Sequence, residues 1–569
     1  MAVPRLSPPA VQRAGSGIRA HWALQVALGV ITSGVLVYSA AEQLFDTNFL
    51  FLWEATPVLA GDHPYRDFYE MGWPLMTVIS AAVQWAVGYR LIGEFLIQWT
   101  FIVASVLVGF HLALRLSQSI AASLTTTLIA IAIIGATPTY HFPKLFFYPV
   151  AVWVTWWYMA APSVRRAMVV GLVTAAAFLY RHDHGVYIGG AAVLAFGLTR
   201  IINPASRNWR SSSREVGAFV AAAIVPLLPW AILVQSNEGL VDYVQTRSEW
   251  GRMWSAHQFP YEMLRDINPA SVIAGIPSRG TAEHWLLQLT LVLPVIALIR
   301  TGIELTSRRN TAPRTSLEMC HTVIAAATVM IVGIRLFRED GYFVETLPLT
   351  AALGAQLMAG PGSEATSMWR NVRRLLVTGT VFVTLFAVVG YVNAWDLLRP
   401  SEINELGPTF DQLMKSPPID GLEPAKTALQ TGTTQWFASD ADTRQKILLR
   451  YVHDCTRAGD RILVTGSTPY AVDYYAQRPI AGGHIEWHHG WLSDAPHARR
   501  SLQLLQTQSV PFAFSTGNPV FADLQSYPEI LHYFQQNYVE LTGSQGQLLV
   551  DRRRQPTSYF GALGFPCFR

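Results

Sequence analysis

Charged side chains are scarce in this 569-residue chain: Asp, Glu, Lys and Arg make up 14% of it, against 51% hydrophobic residues. An ordinary soluble domain is about a quarter charged, so the composition argues against a wholly soluble protein. Cysteine occurs only three times, and no Cys-x-x-Cys or Cys/His spacing typical of a zinc site is found. The net charge of +4 is too small and too dispersed to indicate a nucleic-acid-binding protein.

Long apolar runs fill the chain to about residue 393. The first, from His21 to about Ala41, could be a signal peptide, because its end offers small residues for cleavage. It is longer than the usual signal-peptide core of about 7–15 residues, and more apolar runs follow, so we expect an uncleaved membrane anchor. The later runs lie near 92–114, 120–137, 149–161, 167–180, 186–199, 216–235, 283–299, 319–333, 343–359 and 372–393.

Two kinds of loop alternate between these runs. Loops of the first kind carry arginine and few acids: Arg115, Arg165 with Arg166, and the stretches 200–214, 300–314 and 370–374. Loops of the second kind mix acids, bases and aromatic residues: 45–90, 140–148, 181–185, 237–283 and 335–342. Because arginine-bearing loops favour the cytoplasm, the second kind is predicted to lie together on the extracytoplasmic face.

The segment 73–88 decides on which side of the membrane all later loops lie. It is apolar enough to cross a membrane, but a crossing there would move every later arginine loop to the outside. We therefore expect an interfacial helix within a long first external loop. The prediction is a mainly α-helical membrane protein with about eleven transmembrane helices, a cytoplasmic N-terminus and an extracytoplasmic tail.

Two consecutive runs, 167–180 and 186–199, are shorter than the about 17–25 residues that a spanning helix needs. Both are flanked by predicted cytoplasmic arginines, so the turn from Arg181 to Gly185 is expected below the outer membrane surface. Ionisable residues at such a depth need partners or water and indicate a functional site. The alternative is a helix pair that simply ends at the interface.

Residues 394–569 begin with a proline-containing linker and then have the composition of a globular domain. The runs 461–466, 510–514 and 547–550 are typical of buried strands, and 498–508 and 527–538 of helices. The sequence thus predicts a membrane domain over 1–393 and an extracytoplasmic soluble α/β domain over 394–569. There Cys455 and Cys567 would face an oxidising compartment, in which they could form a disulfide.

The first external loop orders its polar residues in a specific way. Asp46 follows the first helix, an amphipathic run leads to Gly61, and the sequence His63-Pro-Tyr-Arg-Asp-Phe precedes a Gly-x-Pro start of the interfacial helix. A late external stretch, Arg335-Leu-Phe-Arg-Glu-Asp-Gly-Tyr342, opens a helix that contains Pro348. In this order the motifs resemble the GT-C superfamily of membrane glycosyltransferases, in particular bacterial relatives of aminoarabinose transferases and protein O-mannosyltransferases. The resemblance covers the whole membrane part.

The resemblance implies transfer of a sugar from a polyprenyl-phosphate-linked donor to a lipid, glycan or protein acceptor on the extracytoplasmic face of a bacterial cell membrane. In that family the first-loop acid is the proposed general base, and it matches Asp46 here. Such a carboxylate would take the acceptor's proton as the bond to the anomeric carbon forms. Asp46 could instead cap a helix or be solvated, and Asp67 and Asp183 are the other candidates for the base.

The leaving phosphate of such a donor needs cationic and hydrogen-bonding groups. The candidates are Arg66, Lys144, Arg181, His182, His184, Arg335, Arg338 and Tyr342. Lys144 could instead be a snorkelling lysine, and the two late arginines could pair with neighbouring acids. Many members of the family carry an acid before a proline in the second external loop, where this chain has Tyr148-Pro149. No cofactor is therefore assigned, and a divalent metal is left open.

The segment 237–283 mixes aromatic and basic residues, among them Tyr243, Arg247 and Trp250. Such a mixture suits stacking against sugars, but we favour an interfacial aromatic belt.

The main alternative function is a transporter or flippase of lipid-linked sugars. That class would place charged residues deep in several helices and broken helices in related halves, whereas here the polar residues gather on one face. A non-catalytic scaffold that displays the tail would not need acids and arginines in these loops. The sequence therefore favours an enzyme whose partners are the lipid-linked donor, the acceptor and membrane lipids.

Overall fold

The computed structural model describes residues 14–43, 49–88, 90–136, 142–202, 209–256, 279–307, 313–335, 342–359, 367–394, 450–466, 472, 476–484, 487, 491–515, 518–561 and 564–569. These residues are mainly helical as far as residue 394, and strands occur after residue 450.

The helices of the first part are α1 (Ala14–Gln43), α2 (Phe49–Leu59), α3 (Pro74–Val87), α4 (Leu91–Ser117), α5 (Ile120–Ala136), α6 (Phe142–Ala160), α7 (Val164–Tyr180), α8 (His182–Ile202), α9 (Trp209–Ile224), α10 (Leu228–Asn237), α11 (Leu240–Ala256), α12 (Arg279–Ser307), α13 (Pro313–Arg335), α14 (Leu347–Ala359) and α15 (Ser367–Ala394). Two 3₁₀ turns add to them: Val225–Leu227 links α9 to α10, and Tyr342–Thr346 leads into α14.

Every apolar run of the sequence lies on a helix, with α9 and α10 together forming one run. Within the described residues, four helices are long and apolar enough to cross a membrane: Ile92–Ser117, His182–Ile202, Arg210–Asn237 and Trp285–Ile303. Large apolar side chains on them, such as Val193 and Ile232, are exposed. The chain is therefore an integral membrane protein, while the number of crossings and their direction stay predictions.

Helix α3 has 14 residues, fewer than the about 17–25 of a spanning helix, which agrees with an interfacial helix. Proline at its first position and Gly88 in the left-handed region (φ 77°) after its last one delimit it. Its buried polar face is fixed to α4, because Ser80 and the side-chain nitrogen of Gln84 donate to the buried Glu94 carboxylate, the latter over 2.9 Å.

Helices α7 and α8 form a tighter reversal than the sequence indicated. Only Arg181 lies outside a helix, because the expected turn residues 182–185 already belong to α8, which has 21 residues. A Cβ at Gly185 would lie 2.4 Å from the Cα of Phe178, so only glycine lets the two helices approach this closely. Arg181 is thereby the connection between the helices, and His182, Asp183 and His184 form the first turn of α8.

The C-terminal part contains the strands β1 (Ile462–Thr465), β2 (Phe512–Ser515), β3 (Tyr538–Glu540), β4 (Leu548–Asp551), β5 (Ser558–Phe560) and β6 (Phe565–Cys567) and the helices α16 (Ala495–Thr507), α17 (Val520–Asp523) and α18 (Pro528–Asn537). One sheet has the order β1-β2-β4-β3, in which β1 and β2 are parallel and the other pairs antiparallel; β5 and β6 form a second, antiparallel pair. A disulfide joins Cys455 to Cys567. The three predicted strands correspond to β1, β2 and β4, and the two predicted helices to α16 and α18.

Candidate functional site

Segments that the loop pattern placed on one face contact one another at one end of the helices. Lys144, at the start of α6, reaches Glu345 in the 3₁₀ turn before α14. Tyr243 of α11 contacts both Glu70 in the first loop and His182 at the start of α8. Elements distant in sequence therefore converge on two adjoining groups of polar side chains.

The first group, the Lys144 cluster, consists of Lys144, Tyr148, Arg181, Asp183, His184 and Glu345. The ammonium of Lys144 donates to the Glu345 carboxylate, and the two side chains are only 5% and 0% exposed. A buried ion pair such as this loses much hydration, so it persists only with good geometry and additional polar neighbours. A snorkelling lysine would extend its ammonium group to the membrane interface. The ammonium group of Lys144 instead contacts a buried carboxylate.

Arg181 and Asp183 form the outer part of the Lys144 cluster. The Arg181 Nε donates to the Asp183 Oδ1 over 3.1 Å, and each side chain is about one-third exposed (31% and 32%). The same carboxylate accepts from the backbone N–H of His184 over 3.0 Å, in the first turn of α8. This end of the cluster is accessible, whereas the Lys144 end is enclosed.

His184 and Tyr148 line the enclosed end, with their ring centroids 5.4 Å apart. Tyr148 follows Lys144 by one helical turn of α6, which places both on one face. Among the described residues, the ring nitrogens of His184 and the hydroxyl of Tyr148 make no hydrogen bond, although both side chains are buried; the Nε2 of His184 lies 3.5 Å from the Asp183 Oδ2. Buried polar atoms in native proteins are almost always hydrogen-bonded, so these atoms are suited to a polar ligand.

The second group, the Glu70 network, contains carboxylates that the sequence did not single out. Glu54 of α2 accepts from the Met71 backbone N–H over 2.8 Å and from the Thr77 hydroxyl. One oxygen of Glu70 accepts from the backbone N–H groups of Gly72, over 2.7 Å, and Trp73. Both carboxylates are fully buried. Burial raises the pKa of each above its usual range, most strongly for Glu54, where the nearby Glu70 adds to the effect.

The other oxygen of Glu70 accepts from the hydroxyls of Tyr243, over 3.0 Å, and Tyr65, over 3.3 Å. The Tyr243 oxygen also lies 2.7 Å from the Nε2 of His182. Arg247 donates to the Glu70 backbone carbonyl and stacks on the Tyr243 ring. Tyr243 and Arg247 are buried against the first loop, so the expectation of an interfacial belt is wrong for these two residues.

The remaining predicted site residues have several settings. Asp67 accepts from the Arg66 side chain, over 2.7 Å and 3.0 Å, and from the His63 backbone N–H, over 2.8 Å. Burial acts to raise the pKa of Asp67, but these hydrogen bonds outweigh it and leave that pKa lowered. The carboxylate thus stabilises the turn of the first loop, and the Arg66 side chain is 56% exposed.

Four further candidates lie where the structure describes no side chain. Asp46 and Arg338 fall outside the described residues. Arg335 ends α13 and Tyr342 begins the 3₁₀ turn before α14, but their side chains are not described. Of the described residues after them, Glu345 in the same 3₁₀ turn as Tyr342 contacts Lys144.

The C-terminal part packs on the first loop. Arg461 makes a bidentate ion pair with Asp62, with distances of 2.7 Å and 2.5 Å, and Arg500 donates to the backbone carbonyls of residues 65 and 66. The Tyr69 N–H donates to the Gly483 carbonyl over 2.9 Å. Gly483 has φ +73°, and a Cβ there would lie 2.8 Å from the Asp67 carbonyl oxygen, so glycine permits this contact.

Glu70 and Glu345 were not among the predicted site residues, and the sequence indicates them only weakly. Glu70 directly precedes the Gly-x-Pro start of α3, and Glu345 follows the late external loop, so both adjoin motifs that were recognised. Over the described ranges, no three His, Cys, Asp or Glu side chains are grouped so that they could hold a metal ion.

No protein-family model matches the sequence, and no curated protein matches it. Among solved structures, the fold is similar to the crystal structure of ArnT from Cupriavidus metallidurans bound to undecaprenyl phosphate, with 12% sequence identity and a TM-score of 0.47. The match covers 93% of this chain and 97% of that chain.

Proposed function

We propose that this chain is a membrane glycosyltransferase that moves a sugar from a polyprenyl-phosphate-linked donor to a lipid, glycan or protein acceptor on the extracytoplasmic face. The observation that carries the proposal is the Lys144 cluster. It gathers a lysine, an arginine, a histidine and a tyrosine at helix ends, and the buried hydroxyl of Tyr148 and ring nitrogens of His184 make no hydrogen bond within the described residues.

The chemistry of the Lys144 cluster suits a phosphate. Guanidinium and ammonium groups make strong charge-assisted hydrogen bonds to phosphate oxygens, and the N–H groups at the start of α8 add to a positive potential there. Without a ligand, Glu345 and Asp183 neutralise the two cations. An incoming phosphate would take over part of these contacts and supply a partner for His184 and Tyr148.

The position of the Lys144 cluster suits a lipid. Helix α8 starts at the cluster and continues as one of the four helices long enough to cross the membrane. Its outer face exposes Val186 and Val193, each 63% exposed. A phosphate held at the start of α8 would therefore leave the polyprenyl chain beside an apolar helix surface.

Transfer by direct displacement needs a carboxylate near the acceptor. The acceptor hydroxyl would give its proton to that carboxylate while its oxygen bonds to the anomeric carbon, and the bond from that carbon to the phosphate oxygen would break. Asp46 is our candidate for this base, with Asp67 and Asp183 as alternatives. The hydrogen bonds of Asp67 to Arg66 and of Asp183 to Arg181 make these two less suited to accept a proton.

The Cys455–Cys567 disulfide supports the extracytoplasmic placement of the C-terminal part, because disulfides persist in oxidising compartments. The contacts of that part with the first loop would put the Lys144 cluster at the same membrane face.

Intact-lipid mass spectrometry of the purified full-length protein tests the proposal. We expect a polyprenyl-phosphate sugar to copurify with the wild type, and far less with Lys144→Met/Glu345→Leu. Arg166→Gln is the matched control, because Arg166 lies near a helix end remote from the cluster, where it stacks on Trp157. Equal lipid in all three proteins, or none in the wild type, would refute the assignment. Movement of the lipid-linked sugar across vesicles without transfer would indicate a flippase instead.

A further inference from the structure

His182, Tyr243 and Glu70 form a chain of hydrogen bonds from α8 through α11 to the first loop. The Nδ1 of His182 lies 2.9 Å from the backbone carbonyl oxygen of Phe178. Its Nε2 lies 2.7 Å from the Tyr243 hydroxyl oxygen, which lies 3.0 Å from the second oxygen of Glu70. Tyr243 and Glu70 are buried, and His182 is partly buried.

The surroundings limit where protons can lie in this chain. A carbonyl oxygen only accepts hydrogen bonds, so the Nδ1 of His182 must carry a hydrogen. Two backbone N–H groups occupy the first oxygen of Glu70, so a proton on this carboxyl group must sit on the second one. Two contacts connect His182 to the second oxygen of Glu70: one from Nε2 to the Tyr243 hydroxyl oxygen, and one from that hydroxyl oxygen to Glu70. Each contact needs one hydrogen.

The Tyr243 hydroxyl supplies one of these two hydrogens. If the Tyr243 hydrogen were the only one, one of the two contacts, at 2.7 Å or 3.0 Å, would bring two lone pairs together without a hydrogen between them. Such an arrangement is costly for buried polar atoms. The second hydrogen belongs either to Nε2, which makes a charged imidazolium beside an ionised Glu70, or to Glu70, which leaves both groups neutral.

We propose that His182 and Glu70 share one proton through the Tyr243 hydroxyl, and that this proton links the charge of the first loop to the occupancy of the Lys144 cluster. In the neutral state Glu70 donates to Tyr243, which donates to His182. When Glu70 passes its proton to the Tyr243 oxygen, that oxygen passes its own hydrogen to Nε2, and the number of protons is unchanged. The link to the cluster rests on the proposed function; the shared proton does not.

The surroundings of the chain favour its neutral state when no ligand is bound. The charged groups closest to Glu70 are Glu54, whose carboxylate interacts electrostatically with it, and Arg247, which also lies 3.8 Å from Glu238, so in this inner group the acids outnumber the cation. Burial raises the pKa of Glu70, which favours retention of a proton there. On the side of α8, Arg181 and Asp183 flank His182 and offset each other, while the guanidinium of Arg247 also acts on His182.

A phosphate at the Lys144 cluster would change this balance. It would engage Arg181 and bring negative charge next to His182, which favours the imidazolium. Glu70 would then be ionised and accept from both Tyr65 and Tyr243, so that donor binding would place a negative charge in the first loop. His182, Tyr243 and Glu70 thus do not react with the substrate. They are positioning residues that set the charge of the first loop.

Nuclear magnetic resonance of the full-length protein in lipid nanodiscs tests the shared proton. Ring-¹⁵N histidine and carboxyl-¹³C glutamate report the protonation of His182 and Glu70, and the spectra of His182→Gln and Glu70→Gln assign the signals. At neutral pH we expect the protonated fractions of His182 Nε2 and Glu70 to add to one proton. Ionised Glu70 with neutral His182, or protonation of both, would overturn the proposal.

Two tyrosine variants separate the shared proton from a structural effect. Tyr243→Phe removes the bridging hydroxyl, so the two signals should no longer change together when pH is varied. Tyr65→Phe removes another hydroxyl that donates to the same Glu70 oxygen, but it should leave the coupling intact. If Tyr65→Phe abolishes the coupling as Tyr243→Phe does, the proton does not pass through Tyr243.

Undecaprenyl phosphate is the probe for the link to the Lys144 cluster. Its addition should increase the imidazolium signal of His182 and decrease the protonated Glu70 signal by the same amount. Unchanged signals with lipid bound, as seen by native mass spectrometry, would overturn the link. Absence of lipid binding would instead count against the proposed function, while the proton count of the lipid-free protein would still be measured.

Discussion

Replacement of Lys144 by methionine would remove the ammonium group that faces Glu345 inside the protein. Because the Glu345 side chain is 0% exposed, its carboxylate would stay buried without the ammonium group that now donates to it. Removal of one partner of a buried ion pair typically costs about 3–5 kcal/mol. Replacement of both partners by apolar residues of similar size is often neutral, so Lys144→Met/Glu345→Leu should recover most of the loss.

The same pair of variants separates stability from ligand binding. If Lys144 also contacts the donor phosphate, the double variant loses a charged hydrogen bond worth about 1.5–3 kcal/mol. Since about 1.4 kcal/mol corresponds to a factor of ten, its Kd for undecaprenyl phosphate should rise about 10- to 150-fold. Thermal unfolding in detergent measures the stability, and lipid titration by native mass spectrometry measures the affinity.

Two results would refute this reasoning about Lys144. If the single variant unfolds at the same temperature as the double variant, the ion pair with Glu345 does not compensate a buried charge. If the folded double variant binds the lipid as tightly as the wild type, Lys144 does not contact the phosphate. A loss of affinity in the Arg166→Gln control would point to a general defect.

Three further predictions concern catalysis, docking and topology. Asp46→Asn should lower the transfer rate by about 10²- to 10⁴-fold without loss of lipid binding, whereas Asp67→Asn should retain more activity; a fully active Asp46→Asn protein would exclude Asp46 as the base. Arg461→Ala should weaken docking of the C-terminal part by about 1–3 kcal/mol, because Asp62 is only 8% exposed, and limited proteolysis should then cleave the protein faster; an unchanged cleavage rate would contradict this contact. A reporter fused after Arg399 should be active only outside the cytoplasm, and cytoplasmic activity would invert the topology.

The helices could be predicted from sequence because burial in lipid imposes a long apolar run on each spanning segment. Their ends could not be predicted equally well. Arg181, His182, Asp183 and His184 are polar, so they were expected to form a turn, but all except Arg181 lie in α8. The reason is local: the Asp183 carboxylate accepts from a backbone N–H of the first turn, and Gly185 allows close packing on α7.

The candidate site could be predicted only in part. Lys144, Arg181 and His184 stood out because charge at a helix end is rare in an apolar segment. Glu70 and Glu345 did not stand out, because an acid in a loop has no periodicity and its partner is distant in sequence. Glu345 follows Lys144 by 201 positions, and Tyr243 follows Glu70 by 173.

The sequence by itself determined that the protein is helical and resides in a membrane, since these properties depend on local composition and on the hydrogen bonds that a helix makes within itself. It also indicated which loops share a face, since basic residues record the orientation of each segment. Only the tertiary structure decided which of the polar side chains meet. Hydrogen bonds and ion pairs act over about 3–4 Å, and such distances between Lys144 and Glu345, or among His182, Tyr243 and Glu70, arise only when several helices and the first loop pack together.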